Sequence, residues 1–156
     1  MQKVVLITGC SSGIGRALAL EFNRKGHRVY ATARKRGTLA ALESQGIRGL
    51  ALDVTDDATI DATVAVVREE SGHLDVLVNN AGLPQVGAVV DLTREDLRRH
   101  YETNVISPVM VTAKFLPLLR AAVTKNGSAT LANVGSIVGL VATPFAGAYC
   151  SGKSAL

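Results

Sequence analysis

The sequence predicts a doubly wound parallel α/β sheet, and three observations predict it. Short apolar, β-branched runs alternate with segments of helical spacing along the chain. The runs are continuously apolar rather than alternating with polar residues, as expected of strands covered on both faces. A glycine-rich turn separates the first run from the first helical segment, the arrangement that opens such folds. Five strands connected in this way give the order 3-2-1-4-5.

Each element has its own reason. KVVLIT (3–8) is apolar and of strand length, and GIGRALALEFNRKG follows with Ile14, Ala17, Leu18 and Phe22 at helical spacing. Lys25 in the last turn and Gly26 beyond it stop that helix. HRVYATA (27–33) reads as the second strand, TLAALESQG (38–46) as a short helix and RGLAL (48–52) as the third strand. DDATIDATVAVVREES (56–71) carries acids at its start, which suit a helix N-terminus, and LDVLV (74–78) is the fourth strand. TREDLRRHYETNV opens with Thr93 and Asp96 in a near capping box and predicts a longer helix to about Arg120, bent or ended by Pro108 and Pro117. SATLANV (128–134) is the fifth strand, and FAGAYCSGKSAL (145–156) begins another helix.

Composition narrows the function classes. The 156 residues show no repeat, low-complexity tract or linker, so a single domain over 1–156 is expected, with 47% hydrophobic and 19% charged residues arguing for a packed fold. No apolar run approaches the roughly 18 residues of a membrane span, and the opening MQKVVLITG is too short for a signal peptide. The expectation is therefore a cytoplasmic protein without a transmembrane segment. The net charge is +4, but its dense cluster, ARKRG (33–37), has no interleaved aromatics, so no nucleic-acid partner is expected. Cys10 and Cys150 form no disulfide framework and read as small reduced fillers, and no metal site is expected. The Asn126–Ser128 stretch reads as an Asn-Gly turn before a strand, and His27, His73 and His100 as exposed residues outside the motifs.

TGCSSGIG (Thr8 to Gly15) lies between the first strand and first helix, where a dinucleotide pyrophosphate can rest on free backbone amides. Its spacing, with Gly9, Gly13 and Gly15, is GxxxGxG rather than GxGxxG. An acid at the end of the second strand would bind a ribose 2′-hydroxyl and repel a 2′-phosphate. This chain has Ala33 and Arg34 there, and a guanidinium grips phosphate with paired charge-assisted bonds, so NADP(H) is expected over NAD(H). Lys35 and Arg36 read as a solvated loop.

Four more stretches complete a pattern: LDVT with Asp53, NNAG at Asn79 to Gly82, NVGS ending at Ser136, and YxxxK at Tyr149 and Lys153. Together with the glycine turn, and in this order along the whole chain, they resemble the short-chain dehydrogenase/reductase family. The resemblance implies a Rossmann-like fold that binds the cofactor through Gly9, Ser11, Ser12, Gly13, Ile14, Gly15, Arg34, Asp53, Val54 and Asn80, with Asp53 at the adenine. Asn79 would instead stabilise the sheet centre. It further implies a catalytic tetrad of Asn104, Ser136, Tyr149 and Lys153. A phenol is a poor base at neutral pH, and an ammonium one helical turn away favours its phenolate. Tyr149 would exchange a proton with the carbonyl or alcohol oxygen, Ser136 would stabilise charge on that oxygen, Lys153 would also hold the nicotinamide ribose, and Asn104 would position a water. Tyr149 and Lys153 thus count as cofactor contacts too.

YATAR with PFAGAY is similar to the branch containing hydroxysteroid dehydrogenases and 1-acyldihydroxyacetone-phosphate reductases, which implies a small, lipid-like carbonyl or alcohol substrate. Members of the family run to about 250 residues, so the chain reads as the N-terminal portion of that fold, truncated after the fifth strand and the start of the next helix. Homo-oligomers are expected of the full-length fold. Two further readings stay open: a noncatalytic NADP(H)-binding module, and a partner-dependent fragment lacking the substrate-binding region. One residue departs from the family pattern, Gly152, where serine or alanine usually precedes the lysine.

Overall fold

The computed structural model describes residues 2–156. Its centre is a five-stranded parallel sheet formed by β1 (Val4–Ile7), β2 (Arg28–Ala33), β3 (Arg48–Ala51), β4 (Val76–Asn79) and β5 (Thr130–Asn133), in the order β3-β2-β1-β4-β5. This is the order expected from the sequence. Register pairs Leu6 with Tyr30 on one side and Leu77 on the other, so the first strand is flanked along its length.

Both faces are covered, which is why the strands are apolar throughout. Val5, Ile7, Val29, Ala31, Val76 and Val78 pack with Ala19 of α1 (Gly13–Arg24) and Leu42 of α2 (Ala40–Glu43). Leu6, Tyr30, Leu50 and Leu77 point the other way, onto Ile60, Val64 and Val67 of α3 (Asp57–Ser71) and onto Phe115 and Leu118 of α5 (Ser107–Asn126). Tyr30 is fully buried, and its hydroxyl is satisfied by Ser71 at 2.7 Å. The outer strand β5 is less covered, with Leu131 exposed.

Local signals explain the ends. Asp56 caps α3 by accepting the Ala58 amide, and Gly72 closes it in the left-handed region. Gly127 closes α5 in the same way at φ 79°, so the Asn-Gly pair ends a helix as well as preceding a strand. The predicted short second helix begins as a 3₁₀ turn, Arg36–Leu39, before α2.

The long helix expected from Thr93 to about Arg120 is divided. Thr93 and Asp96 form the capping box that starts α4 (Arg94–Tyr101), a π turn spans Glu102–Ile106, and α5 continues to Asn126. Ser107 Oγ donates to the Glu102 carbonyl at 2.7 Å, and Pro108 has no amide with which to close an i→i+4 bond on Asn104, so the winding widens there. Pro117 lies inside α5 without ending it. The continuous run Arg94–Asn126 contains an 18-residue window of mean hydropathy 1.4, long and apolar enough by composition to cross a bilayer. In this fold Val111, Phe115, Leu118 and Ala122 of this run are buried, while Val109, Met110, Leu116 and Val123 are exposed.

The histidines correct an expectation. His100 is completely buried and His73 nearly so, because each finds polar partners inside: His73 Nδ1 lies 2.8 Å from the Ser71 carbonyl, and its Nε2 is 3.4 Å from Asp75. His27 is half-buried, its Nδ1 accepting the Lys3 amide. Asp75 is itself a buried tie, accepting the Val4 amide at 2.7 Å and the Asn126 side chain at 2.6 Å.

Candidate active site

The carboxyl ends of β1, β2, β3 and β4 open onto one cleft of about 1110 Å³. The glycine turn contributes Gly9, Ser11 and Ser12 to its wall; the end of β2 contributes Ala33 and Arg34; the end of β3 contributes Asp53, Val54 and Thr55; and Asn80 to Leu83 follow β4. Seven of the predicted cofactor residues, Gly9, Ser11, Ser12, Arg34, Asp53, Val54 and Asn80, thus meet in one place although they are spread over 72 positions.

Two glycines make the turn possible. Gly9 has φ 73°, and a Cβ on it would lie 2.8 Å from the Ala81 Cα. A Cβ on Gly15 would meet the Asn80 amide and lie 2.5 Å from the Gly9 carbonyl oxygen. The turn is thereby pressed against the segment after β4. Thr8, which the sequence reading passed over, is the rivet: its buried Oγ1 accepts the Asn80 amide at 3.0 Å and the Ala81 amide at 2.9 Å. Asn80 returns the contact by donating through Nδ2 to the Thr8 carbonyl at 2.8 Å and the Gly9 carbonyl at 3.1 Å. Asn79 faces inward as expected, donating to the Thr112 hydroxyl and to Asn133 of β5.

Gly13, Ile14 and Gly15 form the first turn of α1 and do not line the cleft. Ser12 is the N-cap but makes no side-chain cap bond, leaving the first amides of α1 without a side-chain acceptor. Such an end attracts an anion. Asp53 holds its own turn, its Oδ1 accepting the Thr55 amide and hydroxyl. Arg34 is exposed and has no ion-pair partner among the described residues, whereas Arg36 pairs with Glu43 at 3.0 Å. The residues present fit a phosphorylated dinucleotide: Gly9, Ser11 and Ser12 share one open cleft with the Arg34 guanidinium, and the uncapped end of α1 begins directly after Ser12.

Helix α4 forms the facing wall with Glu95, Arg98 and Arg99, and nothing in the motif spacing pointed to it. Arg99 is paired with Asp96 at 2.9 Å. Arg98, like Arg34, has no ion-pair partner among the described residues.

None of the four predicted catalytic residues lines this cleft. Asn104 is buried in the π turn, where its Oδ1 accepts the Leu83 amide at 2.8 Å and its Nδ2 donates to the Leu83 carbonyl at 2.7 Å. Tyr149 and Lys153 sit one turn apart on α6 (Gly147–Ser154). The Lys153 ammonium donates to the Val134 carbonyl at 2.7 Å, and burial pushes its pKa below the ordinary lysine value. A Cβ on Gly82 would lie 3.1 Å from Asn104 Oδ1 and 3.9 Å from Lys153 Nζ, which brings the asparagine and the lysine to one corner next to the cleft residue Gly82. Ser136 heads a 3₁₀ turn, Ile137–Gly139, with its Oγ accepting the Val138 amide at 3.4 Å. Gly139 in turn packs on the Lys153 backbone, joining the serine segment to α6. Both cysteines are buried thiols, and burial raises Cys10 to about 11.

The family model for short chain dehydrogenases matches residues 3–156. The chain belongs to the short-chain dehydrogenase family. Among curated members it is 39% identical over 158 residues to the NADPH-dependent 1-acyldihydroxyacetone phosphate reductase of Schizosaccharomyces pombe, covering 99% of this chain and 51% of that protein. It is 35% identical to the 3-ketodihydrosphingosine reductase of Bacteroides thetaiotaomicron, covering 99% of this chain and 54% of the other. Among solved family structures, an actinorhodin polyketide ketoreductase with NADPH superposes at a TM-score of 0.88 with 34% identity, over 99% of this chain and 60% of that one. The chain spans about half the length of the curated relatives it matches.

Proposed function

We propose that this chain carries the cofactor-binding half and the catalytic side chains of an NADP(H)-dependent oxidoreductase acting on a carbonyl or secondary alcohol of lipid-like character. The observation that carries the reading is the unpaired Arg34 guanidinium at the end of β2, in the same cleft as the glycine turn and Asp53. The names of the two curated relatives, one acting on an acylated ketone phosphate and the other on a sphingoid ketone, support the substrate class.

When bound, the dinucleotide supplies or accepts the hydride. The protein's own residues bind and orient. The uncapped amides of α1 and the Gly9 turn hold pyrophosphate, Arg34 holds the 2′-phosphate, and Asp53 and Val54 edge the adenine. Tyr149 gives or takes the proton at the substrate oxygen, helped by the neighbouring Lys153 ammonium, while Ser136 donates to that oxygen and Asn104 fixes the corner around them.

Titration of the purified protein with NADPH and NADH by cofactor fluorescence tests this. Saturable binding with preference for NADPH is expected, and Arg34→Ala should weaken NADPH about tenfold while leaving NADH unchanged, as expected for loss of one charge-assisted bidentate contact. Equal loss for both cofactors would reject the role of Arg34, and a flat titration would reject the binding site.

A second reading, a noncatalytic NADP(H)-binding module, is favoured by one observation: Ser136, Tyr149 and Lys153 do not line the cleft, and the Lys153 ammonium is engaged by the Val134 carbonyl. It predicts saturable NADPH binding without NADPH oxidation on a panel of long-chain ketones, where the first reading predicts turnover.

A further inference from the structure

We propose that His100 is a positioning residue for the candidate catalytic corner: a neutral imidazole that holds the Asn104 carboxamide and seats α6, with Gly152 as the notch that admits it. The inference rests on the catalytic reading of Asn104, Tyr149 and Lys153 given above.

His100 lies on the last turn of α4 and is fully enclosed. The carboxamide of Asn104, four residues on, has its orientation fixed by the backbone of Leu83. Oδ1 faces the Leu83 amide and Nδ2 faces the Leu83 carbonyl, so turning the group over would break both bonds. Nδ2 therefore points its second hydrogen at the imidazole, whose Nδ1 is 2.9 Å and whose Nε2 is 3.3 Å away. A neutral imidazole can accept that hydrogen and a doubly protonated one cannot, because both ring nitrogens of the cation are donors.

The other side of the ring addresses α6. A Cβ built on Gly152 would lie 2.5 Å from Nε2 and 3.2 Å from Cδ2, and the backbone of Ala148 lies within hydrogen-bond reach of the ring. The Tyr149 ring stands edge-on at 6.1 Å and 74°, and Tyr101 flanks the imidazole at 6.0 Å and 76°. Gly152, which departs from the family pattern and weakens a helix interior, is thereby explained: residue 152 is small because residue 100 is a histidine. One side chain thus touches three α6 residues, 148, 149 and 152, and the asparagine beside Lys153.

The surroundings favour the neutral form. Burial lowers the imidazole pKa, and the Lys153 ammonium acts in the same direction, opposed by the carbonyls of Ala148 and Leu83. The Tyr149 and Tyr101 rings stand edge-on to the imidazole, and no carboxylate pairs with it among the described residues. Protonation would remove the acceptor for Asn104 and set a second cation near Lys153.

The test separates this role from packing and from the catalytic reading. His100→Asn keeps a hydrogen-bond acceptor and cannot titrate, whereas His100→Leu keeps bulk and loses the acceptor. In turnover with NADPH and a responsive ketone, H100L should lower kcat by about ten- to a hundredfold with the KM for NADPH nearly unchanged, as expected for misplacement of reacting groups. H100N should restore most of that loss and abolish an acid limb of the kcat profile lying below the ordinary imidazole value of about 6.5. Equal losses in H100N and H100L, or an acid limb that survives in H100N, would overturn the proposal.

If no ketone turns over, the catalytic reading fails and the geometry is still read by NMR. The His100 ring should be neutral at pH 7, and the Asn104 side-chain amide resonances should move in H100L more than in H100N. A protonated ring at pH 7, or unmoved Asn104 resonances, would refute the contact. The notch has its own readout: Gly152→Ala should lower the Tm in the natural background and raise it in His100→Ala. A fall of the same size in both backgrounds would show that His100 does not occupy that space.

Discussion

Thr8→Val isolates the rivet between the glycine turn and the segment after β4. Valine matches threonine in shape, so no void opens, and the change removes only the hydroxyl. Two amides, Asn80 at 3.0 Å and Ala81 at 2.9 Å, lose their acceptor. An orphaned amide costs about 1–3 kcal/mol when buried, and two would cost about 2–6 kcal/mol. Asn80 and Ala81 are half-buried, so water recovers part of the loss, and the lower portion of that range, about 2–3 kcal/mol, is expected. The 3.4 Å contact from Thr8 Oγ1 to the Val78 carbonyl adds little, because that carbonyl also accepts the Thr8 amide at 3.0 Å. Thr8→Ser supplies the control, keeping the one hydroxyl that accepts both amides and giving up one methyl worth about 1 kcal/mol. Urea unfolding should show the midpoint of Thr8→Val falling well below that of Thr8→Ser at unchanged m, with faster hydrogen exchange at Asn80 and Ala81. The reasoning is wrong if Thr8→Ser is as damaging as Thr8→Val, or if those two amides exchange at the native rate.

Gly15→Ala should weaken NADPH by at least about tenfold, because its methyl would enter the space of the Asn80 side chain and the Gly9 carbonyl; overpacking of about 1–3 kcal/mol outweighs the roughly 1 kcal/mol that alanine adds to a helix. Cofactor titration beside urea unfolding reads both effects. Cys10 and Cys150 should resist a neutral disulfide reagent at pH 8 in the native protein and react only on unfolding, which a stopped-flow thiol assay records. Cys10 also gives the stability a pH dependence. Its folded value, about 11, lies above the ordinary 9.0, so its contribution is complete below 9 and lost as pH rises toward 11. Unfolding midpoints across that window should fall less steeply in Cys10→Ala than in the natural protein.

What could be read along the chain was what depends on neighbours in sequence. The strands follow from runs such as VVLI, whose side chains alternate between two covered faces, and the sheet order follows from crossover rules that hold for any such chain. The glycine turn and Arg34 were legible for the same reason, since a motif at the end of a strand in a parallel sheet is delivered to the carboxyl edge. The division of the long helix was half legible: Pro108 was visible, but the Ser107 bond that shapes the π turn was not anticipated.

The remainder was decided by contacts between residues far apart in the chain, which no local spacing encodes. Thr8 meets Asn80 across 72 positions, and α4 turns Arg98 and Arg99 toward a cleft built by strands that precede it. His100 and Gly152 each look like an anomaly alone, a buried imidazole and a glycine inside a helix. The sequence determined the elements and the delivery of the glycine turn, Arg34 and Asp53 to one edge of the sheet, because periodicity and turn chemistry are local. Only the folded chain showed that the histidine fills the space the glycine leaves, because excluded volume acts between surfaces brought together by folding.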